Sequence, residues 1–212
     1  MTFFLLLAKG MLVALEIFIL TLVFSIPLGL LVSFGRKSKF LPLRWLIGIY
    51  ISIMRGTPLL LQLVVVFYGP YFIFGPGAMM PRFIAAVVAF TLNYAAYFCE
   101  IFRGGIESIP KGQYEAGEVL GFTKRQTFFR IILPQVVKRI LPPFSNEVIT
   151  LVKDTALAQI IGVPEIFRAA FNESSRLGAI APLFWAGLFY YVMNLVVAQL
   201  FAIAEKKLNY YR

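Results

Sequence analysis

Long apolar runs alternate with short polar connections along this chain. The apolar stretches cover residues 11–33, 45–74, 83–102, about 131–152 and 180–204. A helix crossing a bilayer needs roughly 20 mainly apolar residues. The pattern therefore predicts an all-α integral membrane protein with about five transmembrane helices and no strands. It also predicts that residues 1–212 form one membrane domain, with no linker or second unit.

Interruptions within the runs carry further expectations. The first run places Thr21, Ser25, Gly29 and Ser33 at four-residue spacing, a small-residue stripe that lets helices approach closely in lipid. Pro27 removes one backbone hydrogen bond there and is expected to kink the helix. The second run would be about 45 Å long as one helix, against a hydrocarbon core of roughly 30 Å. A break is expected at Arg55-Gly56-Thr57-Pro58, with Thr57 as N-cap and a new helix from Pro58. Such a half-helix start either presents free N–H groups to an anionic group, or is a simple kink satisfied by its neighbours. Gly75-Pro76-Gly77 through Pro81 reads as an outer loop.

Span three carries Asn93, Tyr97 and Glu100 at i, i+4, i+7, one helical face. Glu100 faces a polar cavity or pairs with Arg103, since lipid exposure of a charge is costly. Pro134 and Pro142-Pro143 are expected to divide span four into helical pieces. That span also holds Asn146, Glu147, Lys153 and Asp154. Asp154 either caps the following helix or meets a cationic group. Residues 162–178 read as an amphipathic connection.

Between spans three and four lies a polar island, residues 104–134. A short helix is expected from about Gln113 to Leu120, stopped by Gly121. Thr123 and Gln126 then form a capping box. The face Tyr114, Gly117, Glu118, Gly121 combines small and charged residues, as a docking surface requires.

Composition fits this picture: 60% of residues are hydrophobic and the mean hydropathy is +0.83. The net charge of +10 could suggest nucleic acid, but its distribution excludes that reading. Arg36, Lys37, Lys39 and Arg44 follow span one; Arg103, Lys111, Lys124, Arg125, Arg130, Lys138 and Arg139 surround the island; Lys206, Lys207 and Arg212 follow span five. These are alternate connections, and cytoplasmic loops collect Lys and Arg. The N-terminus is therefore expected outside, the island and C-terminus inside, with anionic lipid as a lesser partner of the basic loops. The first run lacks a basic leader and is too long for a signal peptide, so it reads as retained. One Cys and no His exclude a disulfide framework and imidazole chemistry. Nucleotide-binding and hydrolase motifs are missing.

Glu115-Ala116-Gly117, Gly121, Ile131, Leu133 and Pro134 have a recognisable spacing: EAA, three residues, G, nine residues, I-x-L-P. It resembles the EAA loop of the membrane subunits of ATP-binding-cassette (ABC) importers, with Gly117 where the pattern has its second Ala. Arg55-Gly56-Thr57-Pro58-Leu59-Leu60, Arg103-Gly104-Gly105-Ile106, Ile109-Pro110-Lys111-Gly112-Gln113 and Lys153-Asp154-Thr155 resemble the polar amino-acid branch of those permeases. The resemblance spans nearly the whole chain, in order. It implies a type I importer permease in the bacterial inner membrane, working with two ATPase subunits, a second permease unit (identical or homologous) and an external binding protein. ATP and magnesium would belong to the ATPase, leaving no cofactor and no catalytic residue here. The coupling helix would present Tyr114, Glu115, Ala116, Gly117, Glu118, Gly121 and Arg125.

Desolvated carboxylates need a cationic partner or protonation, so Glu16, Glu100 and Asp154 favour a basic amino acid as cargo. Thr57, Pro58 and Leu59 are expected at its carboxylate, and Asn93, Tyr97, Glu100, Asp154 and Glu16 around its cationic groups. A neutral cargo such as glutamine, an ion-coupled transporter or channel, and an assembly subunit are the alternatives.

Overall fold

The computed structural model describes residues 3–208, and among them the regular elements are all helical. Helix α1 (Phe3–Arg36) leads to α2 (Leu41–Gly56) and α3 (Leu59–Phe74). Helix α4 (Arg82–Glu107) follows a short 3-10 turn. Then come α5 (Lys111–Val119), α6 (Lys124–Thr127), α7 (Leu133–Asp154), α8 (Ile166–Leu177) and α9 (Ala181–Leu208).

Helices α1, α4 and α9 are each long and apolar enough to span a bilayer, and α2 with α3 forms a bent pair of the same character. Helix α7, with 22 residues, is about 33 Å long. It is too polar to qualify on composition, because Lys138, Arg139, Glu147, Lys153 and Asp154 all lie within it; Asn146, Thr150 and Lys153 stand exposed along one of its faces.

Helix α4 is the centre of the bundle. Its alanines 85, 86, 89, 95 and 96 are buried and let other helices come close. Phe90, Tyr94 and Phe98 fill the core with Ile17 of α1, Leu63 of α3 and Val148, Leu151 and Val152 of α7. The stripe on α1 faces inward: Thr21, Ser25, Gly29 and Ser33 are all buried. A Cβ on Gly29 would lie 2.9 Å from the Ala95 carbonyl oxygen, so the stripe serves packing within this chain. Outside the core, Leu31, Val65, Phe184 and Leu200 are among many exposed apolar side chains, as expected where lipid is the solvent.

Pro142 and Pro143 do not divide span four. They lie inside a continuous α7, on its exposed side, where the carbonyls they free are not enclosed by the core. The Ser145 hydroxyl donates to the Pro142 carbonyl (3.0 Å). Pro134 falls at the start of α7, after a π-turn at Phe128–Ile132, where a missing N–H costs little. Helix α8 is capped by Glu165, a fully buried carboxylate that accepts from the Phe167 and Arg168 amides (2.6 and 2.7 Å) and the Tyr190 hydroxyl (2.8 Å).

Candidate functional site

The break in span two is sharp: α2 and α3 meet at 113°. Thr57 is extended (φ −123°, ψ 149°), as the residue before a proline prefers. Pro58 is the N-cap of α3. Thr57 therefore closes α2 instead of capping α3, and its hydroxyl donates backward to the Ile53 carbonyl (2.8 Å). The break frees backbone carbonyls at membrane depth, which must find donors. Gln62 supplies them: its Nε2 lies 3.0 Å from the Met54 carbonyl, 3.2 Å from the Thr57 carbonyl and 2.9 Å from the Thr57 hydroxyl. Asn93 of α4 donates to Met54 O (3.1 Å) and to Gln62 Oε1 (2.9 Å). Thr57 and Asn93 are thus parts of one staple holding the break.

Gln62→Leu removes the central donor and leaves Met54, Thr57 and Asn93 short of partners. It is expected to destabilise the protein by about 1–3 kcal/mol, read as a lower Tm in detergent. An unchanged Tm would show that the staple does not hold the break.

Beside the break lies a groove of about 470 Å³. Arg55 and Tyr97 line it near the α2 end, Glu100 and Gly104 on α4, and Arg139, Pro143 and Glu147 on α7. Glu100, expected to meet either a cavity cation or Arg103, is held by Arg103: Nη2 to Oε2 is 2.6 Å, and Nε lies 3.2 Å from both oxygens. Arg55 adds a looser contact at 3.8 Å and lies over the Tyr97 ring at 5.4 Å. Arg139 donates to the Ser108 carbonyl. Asp154 caps nothing, and its Oδ2 accepts from the buried Tyr94 hydroxyl (2.8 Å). Glu147 makes no hydrogen bond or ion pair with any described residue, so it is the groove's uncommitted carboxylate. Glu16 stands exposed on α1 and does not line the groove.

At the inner end, α5 is tied down on one side. Gln135 of α7 donates to Gln113 (2.9 Å), and Ile109, Ile132 and Val136 form a small core beneath it. Gly121 has φ +74°, a left-handed position suited to glycine, and receives the end of α5. The capping box forms: Gln126 N donates to Thr123 Oγ1 (3.3 Å) and Thr123 N to Gln126 Oε1 (2.9 Å).

Gly117 was expected on the docking face as one of its small residues. It is instead buried against Thr127, and a Cβ there would lie 2.6 Å from Thr127 Cγ2. Its smallness seats α5 on its own chain. Tyr114, Glu115, Ala116, Glu118 and Arg125 stand exposed, with Val119 and Leu120 beside them at 87% and 68% exposure.

Residues 25–210 match the model of the binding-protein-dependent transport system inner membrane component. The chain belongs to this family. It is 39% identical to the L-cystine transport system permease protein TcyB of Bacillus subtilis (strain 168), over 99% of this chain and 89% of the relative. It is 38% identical to the arginine transport system permease protein ArtQ of the same organism, over 95% and 91%. A solved structure of an amino acid ABC transporter with histidines superposes with a TM-score of 0.87 at 32% identity, covering 95% of this chain and 94% of that one. The permease thus has the type I importer fold that its EAA-like spacing implied.

Three features of the permease escaped the sequence-level candidate set. Arg55 was quoted only as part of a motif, although it sits in the last turn of α2, next to the break. Glu147 lies seven residues before Asp154, a spacing that puts both on one face of α7. Gln62 carries no sequence signal of its own, because its acceptors exist only once the helix has broken.

Proposed function

We propose that this permease subunit of an amino-acid ABC importer carries basic amino acids. The observation that supports this reading is the groove's charge arrangement, with Arg55 on one wall and the unengaged Glu147 on another. An amino acid with a cationic side chain complements both. Its α-carboxylate meets Arg55 and the first N–H groups of α3, which have no intrahelical acceptors. Its side-chain cation meets Glu147, with Asp154 further along α7 and Tyr94 of α4 bonded to it. Thr57, Pro58 and Leu59 shape the start of α3, Asn93 fixes that start through Gln62, and Tyr97 supports Arg55. Glu100 holds Arg103 and has no direct contact with cargo in this scheme.

Asn146, Thr150 and Lys153 cannot face hydrocarbon without cost. They complete a path with a second permease unit, identical or homologous. ATPase subunits, which hold the ATP and magnesium, dock on Tyr114, Glu115, Ala116, Glu118 and Arg125 with Val119 and Leu120 at the centre. An external binding protein delivers the cargo, and the assembly resides in a bacterial inner membrane. ATP binding shifts the permease between inward and outward states by the difference in ATPase affinity for the two.

The test is uptake into vesicles carrying the permease with its ATPase and binding protein. Labelled arginine is expected to accumulate with ATP and labelled glutamine is not. Glutamine accumulation alone would keep the importer and discard the basic cargo, and uptake indifferent to ATP would discard the importer.

A further inference from the structure

The elbow joining α1 to α2 has a chemistry that transport does not use. Arg36, Lys37, Lys39 and Arg44 fall within residues 36–44, a stretch without a carboxylate. None of them takes part in an ion pair among the described residues, whereas Arg55, Arg103 and Arg176 do. Packing turns the Arg36 side chain back onto the start of α2. Arg36 Nη1 donates to the Arg44 carbonyl (3.3 Å), and its guanidinium lies over Gly48, where a Cβ would come within 2.6 Å of Nη1. The turn between them is ordered by Lys37 N to Phe34 O and Ser38 N to Gly35 O, both 3.1 Å.

Around these charges the chain presents large apolar side chains outward. Residues 39–46 are all exposed, and Phe40, Leu41, Trp45 and Leu46 are each exposed by 64% or more. Four cationic residues within residues 36–44, with no carboxylate among them, favour an anion at this turn. An apolar and tryptophan rim beside them belongs at the boundary of headgroup and acyl chain. Few ligands satisfy both features at once. A soluble acidic partner would meet the charges but would also have to cover the rim. A phospholipid supplies a phosphate for the arginine forks and acyl chains for the rim, and the inner leaflet is already present where α1 ends and α2 begins.

We propose that the α1–α2 elbow is a binding site for the headgroup of an anionic phospholipid of the inner leaflet. Arg36 and Arg44 hold the phosphate, Lys37 and Lys39 add charge at the rim, and Trp45 lies at the depth of the first acyl carbons. This site is separate from the α5 docking surface and from the groove.

The position of Trp45 supplies the readout, because Trp185 is the other tryptophan of the chain and lies near the opposite end of the bundle, edge-on to Phe4 at 5.2 Å. The full chain with Trp185→Phe is reconstituted in phosphatidylcholine vesicles. Either brominated phosphatidylglycerol or brominated phosphatidylcholine is added at equal mole fraction, and quenching of Trp45 is measured. The expected result is an apparent preference for the anionic lipid of about fivefold or more, falling to parity in the Lys37→Gln/Lys39→Gln/Arg44→Gln variant. The companion protein with Trp45→Phe, reporting from Trp185, is expected to show parity before and after those substitutions, which separates a lost site from a misfolded chain. Equal quenching of Trp45 by the two lipids overturns the proposal, as does a preference that survives the triple substitution. No quenching by either lipid also overturns it, since protein would then cover the elbow.

Discussion

Glu147→Gln is expected to lower ATP-driven arginine uptake about tenfold or more while the ATPase still co-purifies with the permease. The groove holds two carboxylates of unequal availability. Glu100 is neutralised by Arg103 at 2.6 Å, with Arg55 nearby, so it has little left to offer a ligand. Glu147 has no partner of its own among the described residues, and removing its charge takes away the groove's attraction for a cation. Losing one interaction of about 1.4 kcal/mol accounts for a tenfold change, and truncating one member of a desolvated charged pair costs more. Glu147→Asp keeps the charge on a shorter arm and is expected to retain part of the uptake. Wild-type rates in Glu147→Gln would remove Glu147 from the path.

The second large effect is expected at a residue that touches no cargo. A Cβ on Gly117 would lie 2.6 Å from Thr127 Cγ2 and 2.7 Å from its Oγ1. Thr127 is β-branched and stiff, is buried, and donates to the Thr123 carbonyl (3.2 Å), so it cannot swing aside cheaply. Gly117→Val must therefore lift α5 off α6 and misplace the exposed edge proposed to meet the ATPase. ATP-driven uptake is expected to fall about tenfold or more, because a misplacement of about 1 Å can cost 10²-fold. The milder Gly117→Ala is expected to be restored in part by Thr127→Ala, which deletes both clashing atoms and leaves Thr127 Cβ at 3.1 Å. Additive losses in the double variant would mean that the two positions do not press on one another. The same contact explains why this chain has Gly where the EAA spacing usually has Ala: Thr127 occupies the space a methyl group would need.

The spans and the broken helix were legible because lipid allows few alternatives. Backbone must be helical there, and Gly56-Thr57-Pro58 is a poor continuation of a helix. The capping box at Thr123 and the stop at Gly121 were legible for a related reason, since each is local and three or four residues settle it. What stayed hidden depends on distant partners. Gly117 reads as an open site from its size alone, and only the position of Thr127, ten residues on, turns it inward. Thr57 reads as an N-cap from its type, yet at the 113° bend its hydroxyl is bonded to the Ile53 carbonyl behind it and Pro58 takes the N-cap position. Asp154 and Glu100 read as equal candidates from their charge, but Tyr94 and Arg103 engage them and leave Glu147. The paired prolines of α7 read as breaks, and the exposed side on which they fall absorbs them.

The proposed preference of the groove for a cation can be measured without ATP or any partner protein. Equilibrium binding of labelled arginine to the purified permease is displaced by unlabelled arginine or by citrulline, which has nearly the same shape but a neutral side-chain end. If Glu147 meets the side-chain cation, citrulline should compete at least about tenfold more weakly, a difference of about 1.4 kcal/mol, and Glu147→Gln should erase the difference. Equal competition by arginine and citrulline in the unaltered permease would contradict a groove built for positive charge.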